Sequence, residues 1–304
     1  MSIIFMRTFK KELIMKKIWQ LILMFLAVVS LAACGRQTKS TADSASKTTT
    51  NKKVAAPYLQ TTMPTFYVHG YQGSAHSTDT LINRAVKQAD AHKVLVATVA
   101  NDGTVSYTGT WRKGTVNPIV QVVFANNVAP YASQSIWLMT VISELANQHH
   151  FKHYNVVAHS AGNVATVNML MTAVQPTNFP QIQKFVSLAG CYNGVITEDD
   201  VANQNYFLKS GEPALKHSVY QMLDAKRQNF PNHISILNIM GDLKDGSHSD
   251  ELVSEVSARS LKYLIRGHQT NYQEKLFYGR HAQHSKLHEN KEVATTINQY
   301  LWGK

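Results

Sequence analysis

The stretch "NVVAHSAGN", Asn155–Asn163, joins a strand-like run to a helix-like one with almost no loop between them. Asn155 to Ala158 suit a short buried parallel strand, and Ala161 to Val174 suit a helix, so Ser160 stands on the hinge. A strand-to-helix turn this tight is strained and admits only small residues two places either side of its apex. Those places hold Ala158 and Gly162. An ordinary turn with Ser160 as a helix N-cap fits the same nine residues. What the rest of the chain brings to the same place decides between the two.

Further strand-like runs are expected at "TFYVHG" (65–70), "KVLVATVA" (93–100), "KFVSLAG" (184–190), "ISILNIMG" (234–241) and "EKLFYG" (274–279), beside "YNVVAH" (154–159) itself. Several are apolar throughout, as strands covered on both faces are. Helices are expected over Thr78 to Ala91, Ser133 to His149, Ala161 to Val174, Asp250 to Ile265 and Glu289 to Trp302. The alternation predicts an α/β fold, a mostly parallel central sheet with helices on both faces. Two segments break the rhythm. Residues 101–131 open with the turn signal "NDG" and read as a β-hairpin or extended excursion. Residues 191–232 form a polar connection with a short helical part near Ser218 to Lys226, a candidate cap over a site.

In such sheets, sites lie beyond the carboxyl ends of the strands. Ser160 ends one strand, "HGYQGS" (69–74) another, "GDLKDGSHSDE" (241–251) a third and "GRHAQHSKLHE" (279–289) a fourth. These polar clusters gather along one edge, which turns the balance away from a plain N-cap. A serine hydroxyl needs a base to take its proton during attack, and a histidine base needs a carboxylate to fix its tautomer. In the chain order Ser, acid, His, the candidates are Ser160, then Asp242, Asp245 or Asp250, then His281, His284 or His288.

From Pro64 to Trp302 the chain looks like an α/β-hydrolase of the lipase-like kind, similar to bacterial cell-surface hydrolases. "AHSAG" resembles the nucleophile elbow, with Ala158 and Asn163 where glycines are usual. "SDELVSEVSARSL" resembles the family's Ser-Asp-Gly-x-Val stretch before a helix, which implies Asp250 as the acid, although Glu251 stands in place of the glycine. Asp242 remains the alternative acid, because it follows its strand immediately. "QHSKLHEN" resembles the His-Ser-x-Leu ending and implies His284 as the base, with His288 at the start of the last helix. "HGYQGS" resembles the loop that lends an oxyanion-hole amide, here from Tyr71, with the second amide from Ala161. His69 and His159 are expected to order neighbouring loops through hydrogen bonds.

Other chemistries find less support. "HAQHSKLH" spaces three histidines by three and four residues, which could put two on one helical face. Nothing elsewhere completes an obvious site, so no metal is expected. Cys191, in the apolar run "FVSLAGC", reads as packing and lacks a base at useful spacing. No phosphate-binding glycine loop ending in Lys-Ser/Thr follows any strand, so nucleotide hydrolysis has no support.

The 304 residues suffice for one large α/β domain plus appendages. The net charge of +11 is concentrated at the start: residues 1–33 and 34–53 carry +4 each, and the remaining 251 residues only +3. Nucleic acid is therefore not an expected partner. Lys16 and Lys17 precede the uncharged run "IWQLILMFLAVVSLAA", which ends at Cys34, the pattern of an export signal. "LAAC" resembles the lipobox of bacterial lipoproteins, which implies lipid on Cys34 and attachment to the extracellular face of the cytoplasmic membrane. Met15 opens a typical "MKK" start. Residues 34–56 are rich in Ser, Thr, Lys and Ala and read as a disordered tether. The expected organisation is a signal peptide (1–33), a tether (34–56) and a hydrolase domain (57–304). The expected function is cleavage of a small-molecule or lipid ester through an acyl-enzyme, without a cofactor; the rival is a surface-displayed binding protein on an idle hydrolase scaffold.

Overall fold

The computed structural model describes residues 58–172 and 175–304. The expected signal peptide, the expected tether, Cys34 and the expected helix end at Val174 lie outside them. Strands β1 (Thr65–Val68), β2 (His92–Val99), β3 (Val105–Gly109), β4 (Pro118–Phe124), β5 (His153–His159), β6 (Gln181–Leu188), β7 (Ile234–Asp242) and β8 (Gln269–Tyr278) form one sheet in the order β3-β2-β4-β1-β5-β6-β7-β8. Every neighbouring pair is parallel except β2 with β3. The helices are α1 (His76–Ala89), α2 (Tyr131–His149), α3 (Ala161–Leu170), α4 (Ser218–Asp224), α5 (Glu255–Leu264), α6 (His284–Leu287) and α7 (Lys291–Trp302).

Strand residues alternate between two cores. Phe66, Val68, Val122 and Val156 face one side, with Leu138, Val141 and Ile142 of α2 and Val164 of α3. Tyr67, Val157, Val186 and Ile239 face the other, with Leu81 and Ile82 of α1 and Ile297, Leu301 and Trp302 of α7. Helices on both faces explain why the inner strands read as unbroken apolar runs rather than as alternation.

The excursion 101–131 holds more than the expected hairpin. The turn after "NDG" closes with the Ala100 amide donating to the Thr104 carbonyl, and β3 pairs antiparallel with β2 as an edge strand. "PIVQVVF" then enters the sheet interior as β4, between β2 and β1. Its burial on both faces makes it a core strand, which the reading of 101–131 as an excursion had omitted. Helix α5 begins five residues later than expected. Ser254 takes the N-cap, its side chain accepting from the Ser257 amide, while residues 251–253 turn back toward Asp250. Among the described residues, no helix is long and apolar enough to cross a membrane.

Candidate active site

Ser160 closes β5 and opens α3 with φ 52° and ψ −126°, a backbone conformation that L-residues avoid. Its neighbours show why small side chains are required. A Cβ on Gly162 would lie 2.5 Å from the His69 carbonyl oxygen, and one on Gly70 would lie 2.7 Å from the Cβ of Ser160. The elbow is held from the adjacent strand: the Ser160 amide donates to the Leu188 carbonyl at 2.9 Å, and so does Asn163 Nδ2 at 2.8 Å. Asn163 thus ties the helix start to β6.

His284, the first residue of α6, reaches Ser160 Oγ with Nε2 at 2.8 Å and Asp250 Oδ2 with Nδ1 at 2.9 Å. An ionised carboxylate only accepts, so Nδ1 carries the proton and Nε2 accepts from the serine hydroxyl. Asp250 is 1% exposed, and its other oxygen accepts from the amides of Leu252 at 3.1 Å and Val253 at 2.7 Å. Three donors hold the carboxylate in one orientation and meet the cost of burying its charge.

The other candidates stand elsewhere. Asp242 accepts from the Lys244 amide at 2.7 Å and makes no hydrogen bond to His284 among the described residues. Asp245 is exposed and accepts from the Ser247 amide. His281 is paired with Arg280, and His288 with Glu289, so the three histidines of "HAQHSKLH" have separate partners. Cys191 is 2% exposed, and burial pushes its thiol up to about 12, a state in which it holds its proton and is a poor nucleophile.

The two flanking histidines act through hydrogen bonds. His69 Nδ1 donates to the Gly70 carbonyl at 2.8 Å, and Nε2 accepts from the Phe124 amide at 3.0 Å. His159 Nε2 donates to the His284 carbonyl at 3.1 Å. Burial, and then the nearby His284 and His288, hold the His159 imidazole well below its ordinary range; burial does the same to His69 more mildly. Both rings are therefore neutral at physiological pH.

Tyr71 and Ala161 line a cavity of about 570 Å³ together with Ser160, His284, Tyr131 and Leu252. Among the described residues, neither the Tyr71 nor the Ala161 amide donates to a protein acceptor. The loop bearing Tyr71 is clamped by Asn127, whose carbonyl accepts from the Gln72 amide and whose Nδ2 donates to the Gly73 carbonyl. Sequence reasoning missed Asn127 because it missed β4; the signal was "NN" directly after an apolar run, the same strand-end polarity that marked the other clusters. Val195, Thr197 and Glu198 of the 191–232 connection line the opposite wall. Ser254 Oγ pins that connection to the start of α5 by donating to Asp200 Oδ2 at 2.6 Å.

Known proteins place this architecture. The chain is similar in structure to a product of the gene lin2722 from Listeria innocua, with 21% identity, TM-score 0.72, and 79% of this chain and 93% of the other covered. It is also similar to the protein called "putative cell surface hydrolase from Lactobacillus plantarum WCFS1", with 26% identity, TM-score 0.64, and 79% and 91% covered. No curated protein matches it. The family described as "Alpha/beta hydrolase of unknown function (DUF915)" matches residues 52–304, and the chain belongs to that family of hydrolases.

Proposed function

We propose that the protein is an exported, lipid-anchored serine hydrolase that cleaves ester-like bonds. The observation that carries this reading is the line of hydrogen bonds from Asp250 through His284 to Ser160, which ends beside two amides without a protein acceptor.

His284 Nε2 takes the hydroxyl proton as Ser160 Oγ bonds to the substrate carbonyl carbon, and the carbonyl π pair moves onto oxygen. The Tyr71 and Ala161 amides donate to that oxyanion. Asp250 stabilises the imidazolium without taking its proton. The oxyanion then collapses, the bond to the alcohol oxygen breaks, and the alcohol leaves with the proton from His284. Water repeats the sequence on the acyl-enzyme: His284 accepts a proton from it, and Ser160 leaves as the free hydroxyl with the carboxylic acid as product.

Export and anchoring rest on the basic, apolar "LAAC" leader, and the relative named as a cell-surface hydrolase points the same way. A fluorophosphonate probe tests the chemistry: the wild type should label, and Ser160→Ala should not. A folded wild type that fails to label would mark the scaffold as a non-catalytic binder. For the anchor, a clickable fatty acid should mark the wild type in cells and leave Cys34→Ser unmarked; labelling of both would remove the lipoprotein reading.

A further inference from the structure

Asp242, His248 and Glu255 each offer one ligand atom within 4.8 Å of the other two. They come from three places: the end of β7, the loop after it, and the first residue of α5. Asp242 is 7% exposed, yet among the described residues its only side-chain hydrogen bond is from the Lys244 amide to Oδ1. The second oxygen of Asp242 has no protein donor among the described residues and is not sealed from solvent, so it is open to water or to a positive partner. Glu255 shows the same division: Arg259 Nη1 donates to Oε2 at 2.7 Å, and no described residue donates to Oε1. Each carboxylate thus has one oxygen held by a protein donor and one open, the arrangement in which outer partners orient metal-ligating carboxylates. The His248 ring has no hydrogen bond among the described residues. His248 and Glu255 also line a cavity of about 280 Å³ with Asn203, Asn205, Ser247 and Arg259, the guanidinium that holds Glu255; the side-chain oxygens there leave room for water or further oxygen donors.

We propose that Asp242, His248 and Glu255 form a binding site for a divalent first-row cation such as Zn²⁺, which clamps the base of the loop that carries Asp250. One imidazole and two carboxylates suit such ions, which bind nitrogen and oxygen together. Tetrahedral Zn²⁺ places its donor atoms roughly 3.3 Å apart, so the three groups close by at most about 1.5 Å, a movement the exposed His248 can supply by rotation. The clamp follows from the backbone. The Leu243 amide donates to the Ser249 carbonyl, the Glu255 amide to the His248 carbonyl, and Ser249 and Ser254 form an antiparallel bridge. Residues 250–253 project from that neck. A cation at its base grips both strands of the neck at once.

Cation binding does not depend on the catalytic reading; only its value to Asp250 does. The test uses the full chain stripped with EDTA and titrated with ZnCl₂ by calorimetry, with melting followed in parallel. One equivalent should bind and raise the melting temperature. His248→Ala and Glu255→Gln should each weaken that binding at least about tenfold and remove the melting shift. The chain has 14 histidines, so weak additional sites are expected, and the two variants decide. Absence of a stoichiometric site, or binding unchanged in both variants, overturns the proposal. Fluorophosphonate labelling read on the same samples separates the two ideas, since it reports Ser160 and not the cation.

Discussion

Asp250 and His284 are joined twice. The His284 amide donates to the Asp250 carbonyl at 2.8 Å, and the two side chains meet at 2.9 Å. The loop after β7 and the segment after β8 are therefore fixed to each other by backbone as well as by charge. A side-chain change at Asp250 leaves the backbone bond in place, so the imidazole loses its orienting carboxylate while the loops stay docked.

Asp250→Asn should accordingly fold and lose about 10⁴ in turnover, the scale of a triad whose histidine is left in the wrong tautomer. Asp242→Asn, assayed in EDTA, should keep most of its turnover, since an amide oxygen can still accept from Lys244. Steady-state ester hydrolysis, with folding checked by circular dichroism, separates them. The reverse pattern would move the acid to Asp242.

Gly162 allows no side chain. Ala in its place puts a methyl 2.5 Å from the His69 carbonyl, and that carbonyl is backbone, so the loop leading to Tyr71 must shift. Gly162→Ala should cost about 1–3 kcal/mol of stability, as overpacking does. It should also lower kcat, because the Tyr71 amide moves with the loop. Urea unfolding and kinetics on the same preparation test both; a variant with wild-type stability would show that the contact relaxes freely.

Glu251 has φ 90°, a backbone region that favours glycine. The glycine of the Ser-Asp-Gly-x-Val pattern that this stretch resembles would take that φ without cost, whereas Glu251 carries strain. Glu251→Gly should be more stable by about 1 kcal/mol. Part of that gain is offset by losing the hydrogen bond from Gln283 Nε2 to the exposed Glu251 carboxylate at 2.7 Å. A rise in melting temperature of roughly 2–4 °C is expected. A fall would mean that Gln283, which also caps α6, depends on Glu251.

The depressed histidines set an acid limit. His69 and His159 stay neutral in the folded protein below pH 6.5, where the unfolded chain binds protons on both. The unfolded state then holds more protons, so stability falls as pH drops through 6.5 toward the lower folded values. The slope is up to about 1.4 kcal/mol per pH unit for each group. His159→Gln keeps a donor for the His284 carbonyl and removes one titration, so its stability between pH 7.5 and 5.5 should fall less steeply than the wild type's. Parallel slopes would show that His159 is not the source.

The elements that sequence made legible are those with a local physical signature. The elbow announced itself because a serine between a buried strand and a helix can be flanked only by small residues, and Ala158 and Gly162 met that demand. Asp250 and His284 became legible through motif resemblance, not periodicity. β4 escaped because a turn signal followed by polar residues resembles a surface hairpin, and a seven-residue apolar run has no period to distinguish a core strand. The start of α5 escaped for a different reason. Asp250 does accept from the amides two and three residues on, but the turn it closes is not continued into a helix: Glu251 stands at φ 90°, and Ser254 caps the helix four residues later.

The described chain begins and ends at the same place. Tyr58 bridges Gly303, the Leu59 amide donates to the Trp302 carbonyl, and the Asn117 amide, just before β4, donates to the Thr61 carbonyl. All of these lie at the amino ends of the parallel strands, whereas Ser160 sits at the carboxyl ends, roughly 15–20 Å away along strands of four to seven residues. Tyr58 and Trp302 therefore close the pole opposite the cavity, so the seam that joins the two ends of the described chain is separated from Ser160 by the length of the strands.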